Sequence, residues 1–114
     1  MHEWLEGNPD IKAIRVAASD LNGVPRGKRM PIASADKVTR DGTRFPLSVL
    51  NLDIWGEDIK DSPLVLASGD RDGVLRQTGR GIVPMPRLAT PTRLLQIWMY
   101  QENGQPYDGD TRHA

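Results

Sequence analysis

The residues predict an α+β chain, a small mixed sheet curled around one short helix. Three segments carry that prediction: a hairpin at residues 14–30, a helix at 32–40 and an apolar strand at 92–101. Ile14, Val16 and Ala18 alternate with Ala13, Arg15 and Ala17, the period-two pattern of a half-buried strand over residues 12–21. Asn22-Gly23 follows, and an Asn-Gly pair between extended runs is the strongest short hairpin signal, because a two-residue type I′ turn needs positive φ at both positions. The returning strand, 24–30, carries Pro25, which lacks a backbone donor and therefore places the strand at an edge or at its own first residue.

After Pro31, residues 32–40 have helical spacing. Ser34 stands ready as an N-cap and Gly42 as the stop, and this is the one convincing helix in the chain. Periodicity then breaks over 43–61, where Phe45-Pro46, Ser48, Asp53 and Trp55-Gly56 are followed by Glu57, Asp58 and Asp61. The expectation is a long loop with one short strand at 48–54. Loops of that length inside a small domain are uncommon and tend to carry function. Residues 63–67 read as a short buried strand and Gly69 to Gly73 as a turn. Residues 74–81 are polar, and Ile82-Val83 offer two residues of strand before Pro84 and Pro86.

The best strand is 92–101, with Leu95, Ile97 and Met99 alternating against Leu94, Gln96, Trp98 and Tyr100. Both faces are largely apolar, so it should lie at the centre of the sheet with the helix over one side. Asn103-Gly104 supplies a second hairpin turn into 105–107. Strand, turn, strand, helix and further strands is a β-grasp-like order, within one domain covering residues 1–114.

Composition narrows the functions. At 114 residues there is room for one modest core. Fifteen basic and fifteen acidic residues cancel, which argues against a nucleic-acid binder. Without cysteine there is no thiolate metal site, and His2 and His113 stand at opposite ends where chains usually fray, so Ser-His or Cys-His chemistry and a zinc centre are not expected. No apolar run approaches the roughly 20 residues of a membrane span. The expectation is a cytoplasmic protein with no membrane or nucleic-acid partner, whose site acids are carboxylates.

The order of motifs carries a resemblance. The hairpin D-L-N-G-V-P-R-G-K-R-M-P, the loop L-D-I-W-G-E-D, the turn S-G-D-R-D-G, the strand R-L-L-Q-I-W-M-Y and the closing N-G-Q-P-Y-D-G-D-T-R stand in register over nearly the whole chain. Together they resemble the amino-terminal β-grasp domain of the glutamine synthetase family. The L-D-I-x-G loop looks closer to the γ-glutamylpolyamine synthetase branch. Two departures stand out: Pro46-Leu47-Ser48 follow Phe45 where the classical loop reads F-D-G-S-S, with an ammonium-binding aspartate, and Thr111 replaces a usual proline.

The resemblance implies an ATP-dependent ligase that forms a γ-glutamyl amide from glutamate and ammonia or an amine. ATP and magnesium or manganese would be held by a carboxy-terminal catalytic domain, since this chain has only Glu3, Glu6, Glu57 and Glu102 and no E-x-E pair. It implies as partners that catalytic domain and the neighbouring subunits of a ring, with the loop of this domain closing a neighbour's active site. The isolated chain is then expected to be inactive. A free-standing β-grasp module that binds a protein partner is the alternative.

By the resemblance, Asp53 is the candidate catalytic carboxylate for a substrate amine, and Ser48 and Trp55 are candidate substrate-binding residues. No cofactor or metal ligand is assigned within the chain. Turn-capping by Asp53 and loop-anchoring by Trp55 are the competing structural roles, and Glu57 and Asp58 are weaker candidates. Arg26, Lys28 and Arg29 read first as cations guarding an exposed edge strand, with an intersubunit ion pair as the other role. Trp4 and Trp98 read as core or interface, and at least one contiguous apolar patch, with self-association, is expected.

Overall fold

Alternation buries Ile14, Val16 and Ala18 of β1 (Ala13–Ser19) on the inner face of a five-stranded sheet ordered β2-β1-β5-β4-β3 in a computed structural model of the chain, which describes residues 2–60 and 71–113. β2 (Pro25–Pro31) pairs antiparallel with β1 and forms one edge, opening on its proline as the sequence predicts. β5 (Thr92–Tyr100) is central, parallel to β1 and antiparallel to β4 (Asp72–Pro84). β3 (Thr43–Pro46) closes the far edge. The fold is therefore α+β, a mixed, curled, β-grasp-like sheet.

The curl is strong. Flat strands about 4.8 Å apart would hold the two edges roughly 19 Å from one another. Instead Lys28 Nζ of β2 sits 4.8 Å from the ring centroid of Phe45 in β3, a cation-π contact between opposite edges. Inside the curl, Ala35 and Val38 of α2 (Ala35–Asp41) pack with Leu75, Leu95, Ile97, Met99, Leu47 and Leu50 in one apolar core. Leu94, Gln96, Trp98 and Tyr100 of β5 lie on the outer face and are only half-buried, so the second face of the central strand is less covered than its composition predicts.

Several expectations need correction. Both Asn-Gly turns are three-residue loops, not type I′ pairs. Gly23 N–H donates to Asp20 O and Asp20 N–H to Val24 O at 3.1 and 3.0 Å, and Gly104 to Gln101 and Gln101 to Gln105 repeat the pattern at 2.9 and 2.8 Å. Only the glycine then needs the left-handed region, at φ +74 and +87. Ser34 makes no side-chain cap, because a 3-10 turn, Ile32–Ser34, runs straight into α2 and leaves Ser34 in helical φ/ψ. Gly42, at φ +77, does end the helix, with its N–H on Val38 O.

Helix α1 (His2–Gly7) was not foreseen. The long loop holds its strand earlier than expected, at β3, and residues 48–54 hold no strand: the 3-10 turn Leu47–Asn51 takes the first four. Asp72-Gly73 open β4 instead of closing a turn, and residues 63–67 lie outside the described residues. The polar stretch after Val74 is also strand. Its register slips between Gln77 and Ile82, where Gly79 and Gly81 both take φ +82, so that residues 78–81 stand opposite Gln96 alone.

Candidate functional site

Residues 50–57 and the tip of the first hairpin lie against each other at one end of the sheet. Leu21 N–H donates to Leu50 O at 2.9 Å and Asn22 Nδ2 to Leu52 O at 3.2 Å. Within the loop, Asp53 organises everything. Its Oδ1 accepts from Trp55 N–H at 2.9 Å and Glu57 N–H at 3.0 Å, while its backbone exchanges bonds with Glu57 and Gly56. The turn closes on Gly56 at φ +82. A short acceptor side chain two residues ahead of a free N–H is the Asx device, and it gives order to a segment with no apolar anchor of its own.

The order is spent on display. Trp55 is 80% exposed, the most exposed large apolar side chain among the described residues, and so it does not anchor the loop. Ile54 beside it and Leu21 and Val24 on the hairpin tip are exposed as well, so exposed apolar side chains occur at this end on both segments. Ser48 lies elsewhere: it is buried in the 3-10 turn behind the loop. The structure thus brings Asp53 and Trp55 together at the surface and keeps Ser48 inside. Glu57 and Asp58 are exposed beside them.

Asp20 and Arg26 support the tip, a role the sequence reading missed. The Asp20 side chain is fully buried and accepts from Asn22 N–H at 2.8 Å, Val24 N–H at 2.9 Å and Arg26 Nε at 3.0 Å. Burial pushes this carboxyl up, but the Val24 N–H, the Arg26 guanidinium and the Asn22 N–H outweigh it and hold the pKa below the usual aspartate value. The signal was present as an aspartate two and four residues ahead of the N–H groups of a tight turn.

From behind, the segment after β5 pins the loop. The Tyr107 hydroxyl donates to Asn51 Oδ1, and Asn51 Nδ2 donates to Gly109 O at 3.1 Å. Burial, with Asp108 nearby, raises the Tyr107 phenol above its ordinary value, so it remains a donor throughout the neutral range. Tyr107→Phe should cost about 1 kcal/mol by leaving Asn51 one partner short. Urea unfolding at pH 7 measures it, and an unchanged midpoint would count against this lock.

His113 is not frayed. Its ring packs 5.0 Å from Tyr100 and 5.5 Å from Trp98, with Nε2 2.6 Å from Met99 O. Buried Asp110 accepts from Met99 N–H at 2.8 Å and Arg112 N–H at 3.0 Å, closing the segment onto β5. Among the described residues no three of His, Cys, Asp or Glu converge as a group that could hold a metal, and no helix is long and apolar enough to cross a membrane.

No protein-family model matches the chain. It is 33% identical over 118 residues to the γ-glutamylputrescine synthetase PuuA of Escherichia coli (strain K12), an alignment that takes in 97% of this chain and 23% of that protein. A solved structure described as a novel glutamine synthase homolog superposes with a TM-score of 0.75 at 20% identity, over 90% of this chain and 24% of that one. The chain is a domain of the glutamine synthetase family.

A complex of GmaS with ADP shares the fold at a TM-score of 0.67 and 20% identity, over 92% of this chain and 21% of the other. The chain thus spans about a quarter of the length of the relatives it matches. Within the glutamine synthetase family domain, the opening hairpin motif gains a physical reading. Its aspartate and arginine, buried Asp20 and half-buried Arg26, form the ion pair at the hairpin tip, and its second glycine, Gly27, is where β2 passes hard against the β1 backbone.

Proposed function

We propose that this chain works as the amino-terminal domain of a γ-glutamyl ligase that joins glutamate to an amine, and that its 52–57 loop lines the acceptor end of an active site completed by a neighbouring subunit. The observation that carries the reading is Trp55, a large aromatic held out to solvent on a turn that Asp53 fixes from within. An exposed indole on an ordered turn can lie over an alkyl chain or an ammonium group. The free edge of the Asp53 carboxylate can add a charge-assisted hydrogen bond to an amine. Buried Ser48 is proposed to act behind the loop, shaping it.

An alkylamine acceptor of the putrescine kind fits better than ammonia. The similarity to γ-glutamylputrescine synthetase supports this, as does Pro46-Leu47-Ser48 standing where the classical loop has its ammonium-binding aspartate. ATP and the divalent metal are assigned to the remainder of a full-length ligase. The full-length protein should form γ-glutamyl amides from putrescine-like amines in preference to ammonia. In it, Trp55→Ala should raise the KM for the amine about tenfold, a loss of roughly 1.4 kcal/mol of binding, with the KM for ATP unchanged. Equal turnover of ammonia and putrescine, or an unaltered amine KM in the variant, would refute the reading.

A further inference from the structure

The turn that displays Trp55 has little to stand on, since Ile54, Trp55 and Glu57 all face solvent. Three contacts reach it and its approach from the hairpin tip: Leu21 N–H on Leu50 O, Asn22 Nδ2 on Leu52 O, and the Arg26 guanidinium against Gly56. The last is a packing contact that leaves no room for a side chain at 56. A Cβ at Gly56 would lie 3.0 Å from Arg26 Nη1 and 3.2 Å from Nη2, so the planar head of the arginine lies directly beside the glycine. That head is itself held, since Arg26 Nε is bonded at 3.0 Å to the buried Asp20 carboxylate. Glycine at 56 therefore serves the positive φ and the close approach together.

We propose that Arg26, locked by Asp20, is a positioning residue: the Nη end of its guanidinium is the stop against which the 53–57 turn rests, and it sets where Asp53 and Trp55 stand. The opening hairpin is thereby a splint for the loop. Arginine is suited to this and lysine is not, because only the rigid planar fork can bond Asp20 through Nε and set both terminal nitrogens against Gly56 at once. The effect of the splint on amine binding deepens the proposed function and rests on it. The splint itself is independent of it.

Hydrogen exchange read by mass spectrometry on the full-length protein tests both separately. In Arg26→Gln and in Gly56→Ala, the peptide covering residues 50–60 should exchange about tenfold faster, as a locally loosened turn does, while peptides from β5 keep their wild-type rate. Arg26→Lys should leave the loop as fast as Arg26→Gln does. Equal acceleration of loop and β5 in every variant, or an unchanged loop, would overturn the proposal. In the same variants the amine KM should rise about fivefold with kcat within twofold. Faster loop exchange with an unchanged amine KM would uphold the splint and remove the loop from the acceptor pocket.

Discussion

Gly27→Ala should unfold the opening hairpin or come close to it, with a loss of about 3 kcal/mol and a fall in melting temperature of roughly 15 °C for a domain of this size. Gly27 opposes Ala17 across the β1–β2 ladder, and a Cβ placed on it would fall 1.6 Å from Val16 O and 2.9 Å from Ala17 Cα. Those are backbone atoms of the neighbouring strand, so no rotamer relieves the clash. Either β2 peels away or β1 moves, and β1 carries Ile14 and Val16, both fully buried. Gly7→Ala is the matched control, because nothing lies within 4 Å of its Cβ position, and it should be close to neutral. Thermal melts of the two variants followed by circular dichroism decide the matter, and a Gly27→Ala melt matching wild type would refute the close approach.

How far the fold was legible follows from which signals are local. The alternation of residues 13–19 and 92–100 is fixed by which side chains must leave water, and it gave both inner strands and the central place of β5 directly. β4 was hidden because its first half carries Arg76 and Gln77 toward solvent and its middle breaks register at two glycines. Its strand character comes from pairing with β5, which no single segment announces. Both Asn-Gly turns were placed correctly, and the first was typed wrongly. At the first of them the buried Asp20 carboxylate holds Asn22 and Val24 N–H and so favours the three-residue loop.

For the site, the loss of periodicity pointed to the loop as a whole, and the resemblance to the glutamine synthetase family singled out Asp53 and Trp55 within it. The tie from Arg26 to Gly56 spans 30 residues and depends on curl and register, so no local pattern encodes it. Ser48 illustrates the same limit in reverse: a serine in a polar-looking loop is buried because the 3-10 turn around it sends Leu47 and Leu50 into the core.

Asp20→Ala should cost about 2 kcal/mol at pH 7, and that difference should shrink in acid. The carboxylate has no solvent exposure and serves three donors, so its removal strands Arg26 without its counter-charge and opens the turn at Asn22 and Val24. The net pull of those donors makes Asp20 a stronger acid in the folded chain than its ordinary value of 3.8. A depressed folded-state pKa gives stability that is complete above the unfolded value and is lost as the pH falls through the folded one.

The gap between wild type and Asp20→Ala should therefore be constant from pH 7 to about 5 and narrow below 3.8. The other carboxylates are common to both proteins and cancel in the difference. Asp20→Asn separates charge from hydrogen bonding: its amide oxygen can still accept from the turn, so it should lose less at pH 7, and its own contribution should not vary in acid. Urea unfolding of the three proteins at pH 7, 5 and 3 provides the comparison. A gap between wild type and Asp20→Ala that begins to close well above pH 5 would mean that burial outweighs the donors, and that the hairpin tip is held by its turn alone.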